Sequence, residues 1–250
     1  TLAAYAFPFI GAKRVDQVSL SDITTILQPI WTAKHATARR VRQRIGLVLD
    51  YATAKEWRTG ENPIRSIPRG VLPRTKRVKK HHEAMPYAEV PAFISSLRET
   101  SSHDATKAAF ETLILTAART SEILGAKWSE FDLDAAIWAV PASRMKGGAP
   151  HEVPLAPQVV AILRACRASH SGKSEFVFES KPGRRLSQMA LLAVMRRMGL
   201  KAVVHGFRSS FRDYVAEQTD VSREVSEKAL SHAVKDQTEA AYFRSSLLAK

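Results

Sequence analysis

Among 250 residues there is a single cysteine, Cys166, so no intrachain disulfide can form, which fits a reducing compartment. Cys166 falls within the apolar periodicity of Val159, Val160, Ile162 and Leu163 and reads as a small buried hydrophobe rather than a nucleophile. No apolar run approaches the roughly 20 residues a membrane-spanning helix requires. The start lacks the charged-then-apolar pattern of a signal peptide, and with Thr1 first the native start is expected upstream. Zinc-like Cys/His spacing is missing, as is a clustered carboxylate pair for magnesium, which argues against a metal centre. Internal repeats and low-complexity segments are also missing. Acid is scarce too: 24 Asp and Glu stand against 38 Lys and Arg, a formal net charge of +14. Such a balance favours a polyanionic partner. An acidic membrane surface would want an amphipathic lipid-inserting helix, and the chain offers none.

The basic residues are clustered. Arg39, Arg40, Arg42 and Arg44 share one helical stretch, read over about 37–57, whose apolar stripe is Val41, Ile45, Val48 and Ala52. Before it, Ser21 to Gln28 reads as an N-capped amphipathic helix stopping near Pro29. After it, Arg65, Arg69, Arg74, Lys76, Arg77, Lys79 and Lys80 lie in a segment without acid from Pro63 to His82. Pro68, Gly70 and Pro73 break regular structure there, and like charges keep the segment extended. The expected organisation is therefore a helical domain over residues 1–68, a basic linker over 69–83 and a larger domain over 84–250. Arg39, Arg40, Arg42, Arg44, Arg74, Lys76, Arg77, Lys79 and Lys80 are the candidate DNA-binding residues, and His81 and His82 read as solvated. A solvated surface is the plain alternative for such charge.

In the larger domain, Ser102 is placed as the cap of a helix with a Phe110, Leu113, Ile114 and Ala117 stripe. Ile137–Val140 and Glu152–Leu155 read as two strands around a Lys146-Gly147-Gly148 turn. Helices are expected at about 158–168, 188–198, 207–217 and 223–230. The fold class is mainly α with a small antiparallel β-sheet.

Five stretches carry residues suited to phosphoryl chemistry: Thr116 to Glu122, Arg144-Met-Lys146 followed by Pro150-His151, His205-Gly-Phe-Arg208, Leu230-Ser-His232 and Ala241-Tyr242-Phe-Arg244. A phosphodiester repels nucleophiles and has a poor leaving group. Paired guanidiniums offset the first problem, because their planar donor forks match two phosphate oxygens. Arg119 and Arg208 are the candidates, Arg119 at the start of a short helix and Arg208 one turn after His205, projecting the same way. Lys146, in a glycine turn, can protonate a departing 5′ oxygen. His205 and His232 can hydrogen-bond the phosphate or a nucleophile. Tyr242, ten residues after His232, is the candidate nucleophile.

These motifs, in this order, resemble the tyrosine recombinases, particularly integrases of phages and genomic islands, over essentially the whole chain. The resemblance implies a helical core-binding domain followed by an α+β catalytic domain. It assigns Arg119, Lys146, His205, Arg208, His232 and Tyr242 as catalytic and Glu122 as the acid supporting Arg119. It implies a 3′-phosphotyrosine intermediate that needs neither ATP nor metal, and hence no cofactor. It further implies double-stranded attachment-site DNA as substrate and four protomers in the synaptic complex from a monomer when free. DNA-bending and directionality factors are implied as further partners, with the bacterial cytoplasm as location. Such integrases usually carry an N-terminal arm-binding domain. This chain shows none and ends eight residues after Tyr242, so it is expected to bind core sites and assemble poorly. Ala117 and Ser231 stand where relatives often have glycine. A type IB topoisomerase and a regulator without catalysis are the rival readings.

Overall fold

A computed structural model describes residues 1–73 and 83–231. The chain divides into two compact units, Thr1–Lys80 and His81–Lys250. Arg74, Lys76, Arg77, Lys79, Lys80, His81, His82, His232 and Tyr242 lie outside the described residues.

The first unit holds two short helices, α1 (Leu2–Tyr5) and α2 (Phe7–Ile10), and two longer ones, α3 (Leu20–Trp31) and α4 (His35–Ala54). Ser19 starts α3 through a capping box: its hydroxyl accepts the Asp22 N–H at 3.2 Å, and the Asp22 carboxylate accepts the Ser19 N–H at 2.9 Å. The helix does not stop near Pro29. It runs through that residue to Trp31, whose buried indole donates to the Pro73 carbonyl at 2.9 Å. Burial of the Trp31 side chain outweighs the hydrogen bond that proline removes so close to the end.

The core of this unit packs Ile23, Ile26 and Leu27 of α3 against Ala38, Val41, Ile45 and Leu49 of α4. Leu49 replaces Val48 in the expected stripe. Val48 is 51% exposed and sits beside exposed Leu47 and Tyr51. Both spacings satisfy a 3.6-residue period, and the packing partner decides between them. Arg39, Arg40 and Arg44 are exposed on the same helix, and Arg42 is half-buried. The helix ends at Ala54 rather than near Trp57.

In the second unit, α5 (Val90–Glu99), α6 (Asp104–Thr116) and the short α7 (Thr120–Leu124) precede a three-stranded antiparallel sheet. Its strands are β1 (Phe131–Asp132), β2 (Ile137–Val140) and β3 (His151–Pro154), in that order, with Phe131 opposite Trp138 and Val140 opposite His151. Then come α8 (Pro157–Ala168), the hairpin β4 (Glu179–Lys181) and β5 (Arg184–Arg185), α9 (Ala190–Arg197), α10 (Phe207–Gln218) and α11 (Arg223–Ala229). Mostly helix with small antiparallel sheets is the expected fold class. The second hairpin is an addition to it. His103, not Ser102, caps α6, its ring nitrogen accepting the Ala105 N–H.

Two packing features fix the framework of the larger unit. Phe93, Phe110 and Phe207 form a buried aromatic triad with ring centroids 5.1 to 5.6 Å apart. Phe207 opens α10, so the triad anchors the helix end next to Arg208. Fully buried Trp138 of β2 stacks on Phe131, its centroid 5.2 Å away. Cys166 is half-buried, and burial pushes its thiol up to about 11, so it is no nucleophile at neutral pH.

Candidate active site

Arg119 is the N-cap residue of α7. Its own N–H donates to one Glu122 carboxylate oxygen at 2.8 Å, and its Nη1 donates to the other, also at 2.8 Å. Glu122 is thus a buried acid bonded twice to one residue, and it fixes both the backbone and the guanidinium of Arg119. Arg119 Nη2 donates to the Ser231 carbonyl at 3.0 Å.

Arg208, in the first turn of α10, is 5% exposed. Its Nη1 donates to the Ala117 carbonyl and its Nη2 to the Leu230 carbonyl. Two guanidiniums from distant parts of the chain are therefore held on one turn, Leu230–Ser231, at the end of α11. Their acceptors are main-chain carbonyls at the C-terminal ends of α6 and α11, where the helix dipole is negative. Burial, then the neighbouring Arg119 charge, lowers Arg208 to about 10, and Glu122 opposes the shift. That value leaves the guanidinium charged at neutral pH.

The backbone is shaped to present these carbonyls. Ala117 and Ser231 both occupy the left-handed region, with φ of 49° and 48°. Ala117 is the C-cap of α6 and Ser231 follows Leu230, the C-cap of α11, both left-handed positions that glycine fills without steric cost.

Lys146 is exposed in the connection from Pro141 to Pro150 between β2 and β3. The Gly148 N–H bonds to the Met145 carbonyl at 3.1 Å, closing a turn in which Gly148 has φ of 70°. This connection is longer than a tight hairpin, and its base is buried at Met145. His205 is exposed on the 3-10 turn Val204–Gly206, while Arg208 is buried, so the two side chains differ in environment. Gly206 and Phe207 between them keep helical backbone, with φ of −62° and −60°, and in a 3-10 turn residues three apart lie one above the other.

His151 belongs to the motif Pro150-His151, which by itself gives it no role. The structure places it, half-buried, at the start of β3, with its ring hydrogen-bonded to the Ala229 carbonyl. Burial is the largest influence on it and lowers its pKa, and the Lys228 and Arg119 charges push the same way. The Ala229 bond and Glu122 oppose them. The motif marks this histidine without showing its contact, because its partner lies at the end of α11. Among the described residues no group of His, Cys, Asp or Glu could hold a metal ion, and no helix is long and apolar enough to cross a membrane.

Such an arrangement can receive a phosphate. Donor forks are held by fixed dipoles and one carboxylate, so the positive field exists before any anion arrives.

Comparison with known proteins bears on the whole chain. Residues 1–67 match the phage integrase central domain, and residues 83–247 match the phage integrase family. The integrase of Enterobacteria phage P4 is 29% identical over 98% of this chain and 59% of its own length. Against the first of the phage and prophage integrases it matches, the chain spans 56% to 59% of their length. In fold it is similar to a lambda integrase dimer bound to a COC′ core site, with a TM-score of 0.67 and 18% identity over 99% of this chain and 87% of that one. A lambda integrase tetramer bound to a Holliday junction gives 0.64 and 18% over 89% and 66%. With its larger unit matched almost end to end, the chain belongs to the phage integrase family.

Proposed function

We propose that this chain is the core-binding and catalytic part of a site-specific tyrosine recombinase that integrates or excises a mobile element. The observation that supports this reading is the convergence of Arg119 and Arg208 on the Leu230–Ser231 turn, immediately before His232. A scissile phosphate seated on the two guanidiniums is attacked by the Tyr242 oxygen as the phenol proton passes to a histidine of the site or to solvent. The P–O5′ bond breaks as the tyrosyl–phosphorus bond forms. Lys146 gives its proton to the leaving 5′ oxygen, and His205 and His232 hydrogen-bond the phosphate and the nucleophile. The 5′ hydroxyl of a partner strand then attacks the 3′-phosphotyrosine and releases Tyr242. No step needs a metal ion or ATP.

Arg39, Arg40, Arg42 and Arg44 on α4, with Arg74, Lys76, Arg77, Lys79 and Lys80 beyond it, are proposed to hold duplex phosphates. Such contacts give affinity without naming a sequence. Four protomers on two duplexes are the proposed working assembly, as in the lambda integrase tetramer on a Holliday junction. The proposed setting is the bacterial cytoplasm.

The test is trapping on nicked duplexes from the ends of the source element, in EDTA, with the adducted residue mapped by mass spectrometry. An SDS-resistant adduct on Tyr242, lost in Tyr242→Phe while DNA affinity is kept, is the expected result. Tight binding with no adduct in the full-length protein would refute the enzymatic reading. Strand transfer between two duplexes separates recombination from simple relaxation of DNA.

A further inference from the structure

We propose that Arg144 is a positioning residue: it pins the Lys146 loop to α7 and thereby sets where the Lys146 ammonium reaches over the scissile phosphate. This rests on the role given to Lys146 above and adds what holds it in place.

Arg144 closes the 3-10 turn Ala142–Arg144 at the base of the loop, and its side chain is 16% exposed. Its Nη1 donates to Glu130, whose same carboxylate oxygen accepts from the Trp138 indole at 3.0 Å. Its Nη2 donates to the main-chain carbonyl of Glu122. One guanidinium thus joins the turn before β1, the buried tryptophan of β2 and the helix whose acid holds Arg119. The slot has no slack, for a Cβ built on Gly125 would lie 3.1 Å from Nη2. A lysine cannot copy this contact, because a single ammonium lacks the fork that reaches both acceptors.

The geometry of the loop makes the anchor matter. Lys146 lies two residues beyond Arg144, so at most about 7 Å of chain separates their backbones. Past it come Gly147 and Gly148, which allow the tip to adopt many conformations. Arg144 and buried Met145 are therefore what ties the lysine to the arginine pair. Misplacing a reacting group by about 1 Å can cost on the order of a hundredfold in rate.

The chemistry supplies a diagnostic substrate. Cleavage of the natural linkage breaks P–O5′, and the alkoxide takes a proton from Lys146. With sulfur replacing the bridging 5′ oxygen, P–S breaks and the thiolate departs without a proton. The experiment measures single-turnover formation of the Tyr242 adduct on nicked duplexes of both kinds, for the unaltered chain, Lys146→Ala and Arg144→Lys. Arg144→Lys should slow cleavage of the oxygen substrate at least about tenfold, less than the full loss of an acid. DNA affinity should hold, and the sulfur substrate should restore the rate, as it does for Lys146→Ala. If Arg144→Lys fails to fold, judged by its thermal transition, Glu130→Gln loosens the same anchor and must show the same pattern.

Equal slowing on both substrates, or no slowing, in Arg144→Lys while Lys146→Ala is rescued overturns the positioning role and leaves the lysine's role standing. Failure of the sulfur substrate to rescue Lys146→Ala removes the general acid itself and the inference with it.

Discussion

Replacing Ser231 by glycine should stabilise this protein, and replacing Ala117 should not. Both residues hold a left-handed backbone that costs an L-residue about 1–2 kcal/mol. Glycine removes that cost but loses about 0.4–1 kcal/mol through the greater freedom of the unfolded chain. At half-buried Ser231 the balance is a gain of about 0.5–1 kcal/mol. Ala117 is 2% exposed, and losing its methyl group costs about another 0.8 kcal/mol, which brings the balance near zero. Equilibrium urea unfolding is the assay: Ser231→Gly should raise the midpoint at unchanged m-value, by an amount equivalent to about 2 °C in melting temperature for a unit of this size. Ala117→Gly should leave the midpoint within error. Because the carbonyls of both turns stay where Arg119 and Arg208 need them, adduct formation should survive in each variant. A Ser231→Gly protein less stable than the parent by about 1 kcal/mol would refute the left-handed reading of this turn.

Two other perturbations test different parts of the structure. His151 has a lowered pKa, so the unfolded chain takes up its proton first as pH falls from about 6.5. The stability it contributes is present above that pH and is lost through the folded-state value, and the urea midpoint should fall between pH 7.5 and 5.5. His151→Gln should flatten that slope, and an identical slope in both proteins would remove His151 as its source. In Arg40→Ala and Arg44→Ala, DNA affinity should weaken alike on all sequences, and the salt dependence should shrink by about 0.9 for each phosphate no longer neutralised. An unchanged slope in the double variant would take the exposed face of α4 out of the DNA interface.

How much of the fold is legible in the sequence depends on which determinants are local. The pairing of Arg119 with Glu122 is a three-residue spacing at a helix start, and it is visible in the motif. The strand Ile137–Val140 and the helices from Pro157 onward follow from periodicity and boundaries. Val48 and Leu49 cannot be told apart, since both extend the α4 stripe and only the position of α3 selects one. Pro29 reads as a stop because the anchoring of Trp31 to Pro73 is 42 residues away. The β4–β5 hairpin is short and polar, with no apolar alternation to announce it. Arg144 and His151 fall in a stretch the sequence marks, but their contacts are not legible there, because their partners are Glu130, the Glu122 carbonyl and the Ala229 carbonyl.

The guanidinium clamp leans on main-chain carbonyls. Arg208 is held by the carbonyls of Ala117 and Leu230, and Arg119 by that of Ser231, so no side chain at these three positions takes part. What they must supply is backbone direction, and a small residue can be forced into the left-handed region at modest cost. The same choice of acceptor solves an electrostatic problem. Two buried or half-buried cations repel each other, and carboxylates placed on both would neutralise the field a phosphate should meet. Carbonyls at helix ends carry only partial charge: they hold the guanidiniums and offset part of their repulsion, while Glu122 pairs, of the two, with Arg119 alone. Two guanidiniums against one carboxylate leave an excess of positive charge there. On the function proposed above, a phosphodiester entering the site would meet donors already oriented, the reorganisation that water would require having been completed by folding.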